Sequence, residues 1–245
     1  SFLDSATIRE NVVSLARNIG YVPRSKSAAM ASVYFEVQTS STDPLLYLKP
    51  GLVCVGNTNG TTFRFSTTSE NYASIRGGVA QFGTAENPIS IYQGTFLTQR
   101  FTSNASSDQR FILDNPNIDT STIRVYVSNA IGVLGRQFSM IDNILKIDKK
   151  SEVFFVQEIQ DEKYEILFGD GYFGKKLDNN DIITVQYIVT DGQNGNGASE
   201  FSFQGVFADK PITDVNVSTV IPSAGITVNT VQNARNGAET ENLNS

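Results

Sequence analysis

The sequence predicts a mainly β protein made of two antiparallel, sandwich-like lobes with one N-terminal α-helix. Three observations lead to this fold class. Short runs rich in β-branched and aromatic residues follow one another through most of the chain, and Gly, Pro, Asn or Asp separates them. Helical periodicity is clear only once, near the start. The length of 245 residues lies near the size at which one hydrophobic core gives way to two.

The predicted helix covers residues 4–20. Thr7 and Glu10 have the spacing of a capping box, and Gly20 suits the left-handed position that follows a helix. One apolar stripe runs along it and consists of Ile8, Val12, Leu15 and Ile19. Two interpretations stay open: the stripe packs on the chain's own β core, or it is an interface that packs on a partner chain or on residues missing upstream.

The order of the strand-like runs predicts four regions. Residues 1–29 hold the N-terminal helix and a linker. Residues 30–90 form a first β lobe, which residues 199–229 complete. Residues 91–198 form an inserted second β lobe, and residues 230–245 form a polar C-terminal tail.

Within the second lobe, the secondary structure of residues 129–150 is ambiguous from the sequence. Phe138, Ile141 and Leu145 have the spacing of the apolar face of a short helix. Two glycines at the start of the segment predict a loop before that helix.

A glycine-rich stretch separates two further strand-like runs, at residues 164–168 and 182–189. Glycine adopts positive φ without steric cost, and Asp and Asn bond their own backbone, so residues 169–181 predict a long loop. We therefore expect the two runs to pair as antiparallel strands. A second loop, rich in Gly and Asn, is predicted at residues 191–197.

The long loop contains a match to G-x-G-x-x-G, the dinucleotide-binding fingerprint, and Asp191 follows at about the ~20-residue distance of a ribose-binding acid. That fingerprint works only where a helix N-terminus receives the pyrophosphate. The residues that follow are LDNND and a β-branched run, which do not begin a helix. We interpret the motif as a structural turn that binds no cofactor, formed by Gly169, Asp170, Gly171 and Gly174.

Composition excludes or disfavours several classes of protein. The net charge is −6 and the longest Lys/Arg runs are two residues, which disfavours a nucleic-acid partner. No apolar run approaches the ~20 residues of a membrane span. The absence of histidine excludes His-based triads and His-ligated zinc. Cys54 is the single cysteine and is expected to be buried, so no disulfide framework exists. Because Ser1 stands where Met is expected, we expect a fragment or a processed form.

Acidic loops leave two chemical alternatives open. The acidic residues in question are Asp170, Asp178, Asp181 and Asp191. A glycosidase would need two carboxylates facing each other ~5–9 Å apart, at least one with a raised pKa. Weak surface calcium is the other alternative, although Gln193 and Gly195 fail the EF-hand template.

Five groups of segments, spread over most of the chain, carry a resemblance to a known family. They are NVVSLARNIGYVPRSKSAA near the start, IDTSTIRVYV at 118–127, FVQEIQDEKYEILFGDG at 155–171, LFGDGYFGKKL with ITVQYIVTDG and GNG, and PSAGITVNTVQNARNGAETENL at 222–243. Together and in this order they resemble the baseplate J-like family, in particular the baseplate wedge proteins of T-even-like contractile-tailed phages.

The resemblance implies a structural subunit of the virion's tail baseplate, assembled in the host cytoplasm. It implies a homodimer that holds other baseplate wedge proteins and relays the change of shape that triggers sheath contraction. It implies no catalytic residue. Taken with the composition, it leads us to expect no metal, cofactor, small-molecule substrate, nucleic acid or membrane partner. A carbohydrate- or receptor-binding β module of a phage tail is the alternative, and it predicts exposed Tyr and Phe around a groove. A polysaccharide hydrolase is the third candidate.

Overall fold

The computed structural model describes residues 25–141, 147–208, 215–217, 221–222 and 234–236. Within these ranges the chain is mainly β and forms two sheets, which confirms the predicted fold class in its strand content. The predicted helix over residues 4–20, with its stripe Ile8, Val12, Leu15 and Ile19, lies outside the described residues. No helix of the described part is both long and apolar enough to cross a membrane.

The strands are numbered in chain order. They are β1 (Ala29–Thr39), β2 (Leu45–Leu48), β3 (Gly51–Thr58), β4 (Thr61–Thr67), β5 (Asn71–Arg76), β6 (Val79–Phe82), β7 (Ile89–Gln93), β8 (Thr95–Thr102), β9 (Phe111–Leu113), β10 (Ile118–Ser128), β11 (Arg136–Met140), β12 (Val153–Glu158), β13 (Tyr164–Phe168), β14 (Ile182–Val189), β15 (Ser199–Phe203), β16 (Val215–Val217), β17 (Ile221–Pro222) and β18 (Ala234–Asn236). Short 3-10 turns occur at Gln160–Glu162 and Gly192–Gly195.

The first sheet has the strand order β15-β3-β4-β7-β1-β6-β5-β2. Strand β1 is the longest strand of this sheet and has the same length as β10 of the other sheet. It also pairs with β16, β17 and β18. Its pairings with β6 and β7 are antiparallel, with Phe35 opposite Phe82 and Ala31 opposite Ile91. These strands lie in one compact unit, which the contacts place at Lys26–Leu97, Asn117–Thr122 and from Tyr187 onward.

The two ends of this strand order meet. Beyond β15, Phe207 forms an antiparallel bridge with Leu48 of β2. The amides of Lys49 and Ala208 donate to the carbonyls of Val206 and Tyr47, each at 2.9 Å. The sheet therefore closes on itself through residues 206–208, and the backbone groups that an open edge would leave unpaired at β2 find partners.

The core of the first sheet follows from the period of two residues along a strand. In β1, Ala31, Val33, Phe35 and Val37 are all buried, while alternate residues are more exposed. Aromatic rings fill the centre, and the Phe35 ring centroid lies 5.4 Å from that of Phe82 and 5.1 Å from that of Phe203. Burial of these side chains is the main stabilising contribution.

The second sheet has the order β8-β14-β10-β11-β12-β13-β9. Strand β14 stands between two neighbours, and most of its residues are buried, as expected for a central strand. A second compact unit contains residues 98–116 and 123–186. The four-region division predicted from the sequence stays a prediction about domain organisation.

The predicted hairpin between residues 164–168 and 182–189 is wrong. Both strands exist, but β13 pairs with β12 and β9, whereas β14 lies between β8 and β10. Neighbours in the chain need not pair when a long loop separates them, because burial of whole strand faces decides the partner.

The helix considered for Phe138 within residues 129–150 is also wrong, because Phe138 lies in strand β11. Val125 of β10 lies opposite Phe138, and Ser139 pairs in a parallel register with Val153 of β12. Tertiary strand pairing overrides the local helix-like spacing. The parallel pair also departs from the expected purely antiparallel lobes. Of the two other apolar positions, Leu145 lies outside the described residues.

Strand β5 was not predicted from the sequence. Its residues, NYASIR, include few of the β-branched and aromatic types that favour strands. It forms because β2 and β6 pair with it on either side, which puts Ala73 in the core.

Candidate functional site

The glycine-rich bend after β13 is a turn built around one carboxylate. Asp170 Oδ1 accepts the backbone N–H groups of Tyr172 and Phe173, each at 2.9 Å. Gly171 N donates to Gly174 O at 3.1 Å, and both glycines have positive φ, +90° and +85°. A side chain would strain the backbone at these two positions.

No helix follows this bend. The described residues 175–181 form irregular backbone and a turn before β14 begins. The free N–H groups of a helix N-terminus, which a pyrophosphate would need, are therefore missing from this stretch. The bend instead binds the chain's own backbone.

The partner of the bend is the turn at residues 148–151. Gly174 N donates to Asp148 O at 2.9 Å, and Lys175 N donates to Ser151 O at 2.8 Å. The Asp148 carboxylate accepts the Lys150 N–H at 2.7 Å. That N–H first, and the Ser151 hydroxyl next, lower the pKa of Asp148 below its ordinary value.

The acidic loop before β14 is likewise held by its own backbone. Asp178 N donates to the Asp181 carboxylate at 2.9 Å, and Asp181 N donates to Asp178 O at 3.2 Å. Two further bonds of 2.8 and 2.7 Å connect Asp181 and Asn180 to Ser103. Asp181 is buried and completes this turn. Across the described part of the chain, no three or more Cys, Asp or Glu side chains are grouped as a metal site.

The second glycine loop, after β14, closes on a buried glutamine. Gln93 Oε1 accepts the Thr190 hydroxyl at 2.8 Å and the Asp191 N–H at 2.9 Å. Gln93 Nε2 donates to the Asp191 carboxylate at 3.1 Å. A Cβ at Gly195 would lie 2.7 Å from Gln93 Cγ, so the glycine permits this close approach. Asp191 thus orders a loop.

Asp119 is a buried carboxylate that sequence reasoning missed. Its Oδ2 accepts the N–H of Ala28 at 2.9 Å, next to the start of β1. Its Oδ1 accepts both the N–H and the hydroxyl of Ser121, at 3.0 and 2.6 Å. The signal available in the sequence was an acid inside a strand-like run, IDTSTIRVYV, where a charged side chain needs partners.

Glu165 is the second missed carboxylate. Its side chain is 5% exposed and its Oε2 lies 2.5 Å from Arg110 Nε. Gln157 Nε2 donates to Oε1 at 3.4 Å from the neighbouring strand β12. In the sequence Glu165 only interrupts the apolar pattern of β13, whereas the fold encloses it and supplies a cation.

Comparison with known proteins identifies proteins of similar sequence that contain these loops. Residues 98–192 match the family model described as bacteriophage baseplate wedge protein gp6, third domain. The chain is thus similar to phage baseplate wedge proteins. The baseplate wedge protein gp6 of Enterobacteria phage T4 is 24% identical to it over 88% of this chain. The chain spans about a third, 34%, of the length of that relative.

The loops that the sequence analysis singled out lie within the matched residues 98–192. The bend at Gly169, Asp170, Gly171 and Gly174 does so, as do Asp178, Asp181 and Asp191. Asp178 and Asp181 meet in one turn, whereas Asp170 and Asp191 each order a loop of their own. The candidate interface residues of the N-terminal stripe lie outside the described residues.

A shallow groove lies outside the matched segment, on the unit that contains the first sheet. Aromatic and amide side chains line it. Its lining includes Ser69, Asn71, Tyr72, Asn87, Ser90 and Tyr92. Tyr72 is exposed and stacks on Tyr47, with ring centroids 4.6 Å apart. Glu70 accepts the Tyr72 hydroxyl at 3.3 Å and orients it.

Proposed function

We propose that this chain is a structural subunit of a contractile-tailed phage's baseplate wedge, located in the virion tail. The observation that carries the proposal is the similarity to baseplate wedge proteins over most of the chain. The geometry agrees with a structural role. The loops with the most chemically suggestive sequences use their carboxylates to order backbone, as Asp170 and Asp181 do.

The proposal extends to partners. The chain holds other baseplate wedge proteins, associates with a second copy of itself, and relays the change of shape that triggers sheath contraction. Support comes from the similarity to a baseplate wedge protein and from the fold of the first sheet, because a closed sheet with buried aromatic residues resists continuous deformation. Such a body transmits movement by changing partners instead of bending.

Co-assembly with purified proteins tests the partner claim. The chain is mixed with each other wedge protein of the same phage, and the complexes are measured by analytical ultracentrifugation. We expect a heterocomplex with at least one wedge protein and a dimer for the chain alone. The phage's major capsid protein serves as the negative control. A chain that sediments alone with every wedge protein contradicts the proposal.

The relay requires a separate measurement. Cryo-electron microscopy of intact tails before and after contraction should show the chain exchanging at least one contact with a neighbouring protein. If all its contacts were identical in the two states, the relay would be wrong, although the structural role would stand.

The relationship also supports a non-enzymatic role. The groove does not support the hydrolase hypothesis, because none of its lining residues is Asp or Glu. Two facing carboxylates are the minimum that glycoside hydrolysis needs.

A second candidate function, glycan binding, is favoured by one observation. The groove combines an exposed Tyr72 ring with hydroxyl and carboxamide groups, which suit the apolar faces and hydroxyls of a sugar. A glycan array should then give signals that Tyr72→Ala abolishes and Tyr172→Ala retains, since Tyr172 is exposed elsewhere. An array without signal for the unsubstituted chain would remove this candidate.

A further inference from the structure

The loop between β10 and β11 exposes three apolar side chains within four residues. Ile131 is 91% exposed, Val133 56% and Leu134 38%. Single exposed apolar residues are common on protein surfaces, but a consecutive group without polar interruption is not. Such a group costs solubility unless another surface covers it.

The backbone of this loop is fixed at both of its ends. Ser128 Oγ donates to Ala130 O at 3.0 Å and accepts Ala130 N–H at 3.1 Å. Gly135 has φ +88°, and a Cβ there would lie 2.1 Å from the Val127 carbonyl oxygen. Strands β10 and β11 pair directly at its base, where Val127 lies opposite Arg136. The apolar side chains thus lie on a short hairpin loop with fixed ends, and the fixed ends reduce the entropy lost on binding.

The charges around the loop indicate what kind of surface it meets. Residues 128–135 contain no charged side chain. Arg136, at the foot of the loop, is paired with Glu152 at 3.0 Å. Loops that enter anionic membranes usually add several basic residues, and this chain instead has a net charge of −6. An uncharged apolar pocket of another protein is the better match.

We propose that the loop Ala130–Gly135 is a docking prong, with Ile131 at its tip, that inserts into an apolar pocket of a neighbouring baseplate protein. The identity of the partner as a baseplate protein rests on the proposed function. The prong lies within the segment that matches the wedge-protein domain. Three side chains are too small an area for a stable complex, so the prong acts as an anchor within a larger interface.

Serine substitution tests the prong by equilibrium binding. In the double variant Ile131→Ser, Val133→Ser, both side chains are already exposed, so thermal stability should be unchanged. We expect its affinity for the wedge protein that binds the chain to fall by about tenfold or more. Val206→Ser is the matched control, because Val206 is 58% exposed in the other unit.

The possible results separate the two proposals. A double variant that binds as tightly as the unsubstituted chain overturns the prong and leaves the proposed function intact. If the unsubstituted chain binds no wedge protein, both proposals fail. Binding to phosphatidylcholine–phosphatidylglycerol vesicles that depends on Ile131 would also overturn the protein pocket and assign the loop to a membrane surface.

Photo-crosslinking in assembled tails identifies the pocket. Benzoylphenylalanine replaces Ile131 in the phage, and mass spectrometry of irradiated tails should find one crosslinked peptide rich in aliphatic or aromatic residues. The same label at Val206 should not crosslink that peptide. Absence of any crosslink from position 131, or a crosslink to a charged surface segment, would contradict the proposal.

Discussion

Two glycine-containing loops of the second sheet's unit make opposite use of the same backbone chemistry. The bend after β13 turns its polar groups inward, where Asp170 and Gly174 bond neighbouring backbone. The loop after β10 turns apolar groups outward, with Ile131 almost fully exposed. Positive-φ glycines shape both, at Gly171 and at Gly135. Glycine therefore specifies the conformation of a loop, and the side chains between the glycines decide what the loop does.

A similar contrast separates the two sheets. The first sheet closes on itself around a large cluster of buried apolar side chains, including Phe35 and Phe82. The second sheet encloses the charged side chain of Glu165, which Arg110 and Gln157 contact. Hydrophobic burial dominates the first, whereas the second also depends on satisfying a buried charge.

The largest effect should come from the aromatic centre of the first sheet. Phe35→Ala removes a fully buried ring that contacts Phe82 and Phe203, and should cost about 3–5 kcal/mol of unfolding free energy. Urea unfolding measures the loss, with Phe35→Leu as the milder control. A cost below about 1 kcal/mol would show that the surrounding side chains collapse into the cavity.

The next effect tests the backbone of the apolar loop. Gly135→Ala introduces a Cβ 2.1 Å from the Val127 carbonyl oxygen at φ +88°, and strain of this kind costs about 1–3 kcal/mol or more. Gly132→Ala is a matched control, because its φ is similar at +81° but nothing lies within 4 Å of the added Cβ. Equal losses for the two variants would mean that φ alone, and not the close approach, constrains the loop.

A comparable or smaller effect is expected at the buried charge of the second sheet. Glu165→Ala should cost about 1–3 kcal/mol, because Gln157 loses a partner and the strand loses packing. Glu165→Gln keeps the shape and should cost less. Both variants lose the ion pair with Arg110, so a glutamine variant that is the less stable of the two would show that burying its amide costs more than the packing that it keeps.

The smallest effect concerns Cys54 in the first sheet's core, where burial raises the pKa of the thiol from 9.0 to about 12. Between these values the unfolded chain binds fewer protons than the folded chain, so stability falls as pH rises, by about 1.4 kcal/mol per pH unit. Urea unfolding at pH 8 and pH 10 should therefore show a loss of about 1 kcal/mol that Cys54→Ala lacks.

Two observations would contradict that prediction. If Cys54→Ala lost as much stability between pH 8 and pH 10 as the unsubstituted chain, groups other than Cys54 would cause the effect. Rapid reaction of the folded protein with a thiol reagent at pH 8 would show that Cys54 is accessible, against its burial in β3.

The sequence by itself determined where most strands and turns lie. Runs such as residues 182–189 and the glycines near residue 171 act locally, through side-chain shape and allowed φ, and need no distant partner. The mainly β fold class and the family resemblance follow from such local segments. The bend after β13 was recognised as a turn because no helix-forming residues follow it.

Only the tertiary structure decided which strands are neighbours and which polar groups are enclosed. It separated β13 from β14, placed Phe138 in a strand and formed β5 from weak strand residues. It also gave Glu165 its cation and Asp119 its amide. These outcomes depend on burying complete faces between segments far apart in the chain, and a local pattern contains no information about the segment that will cover it.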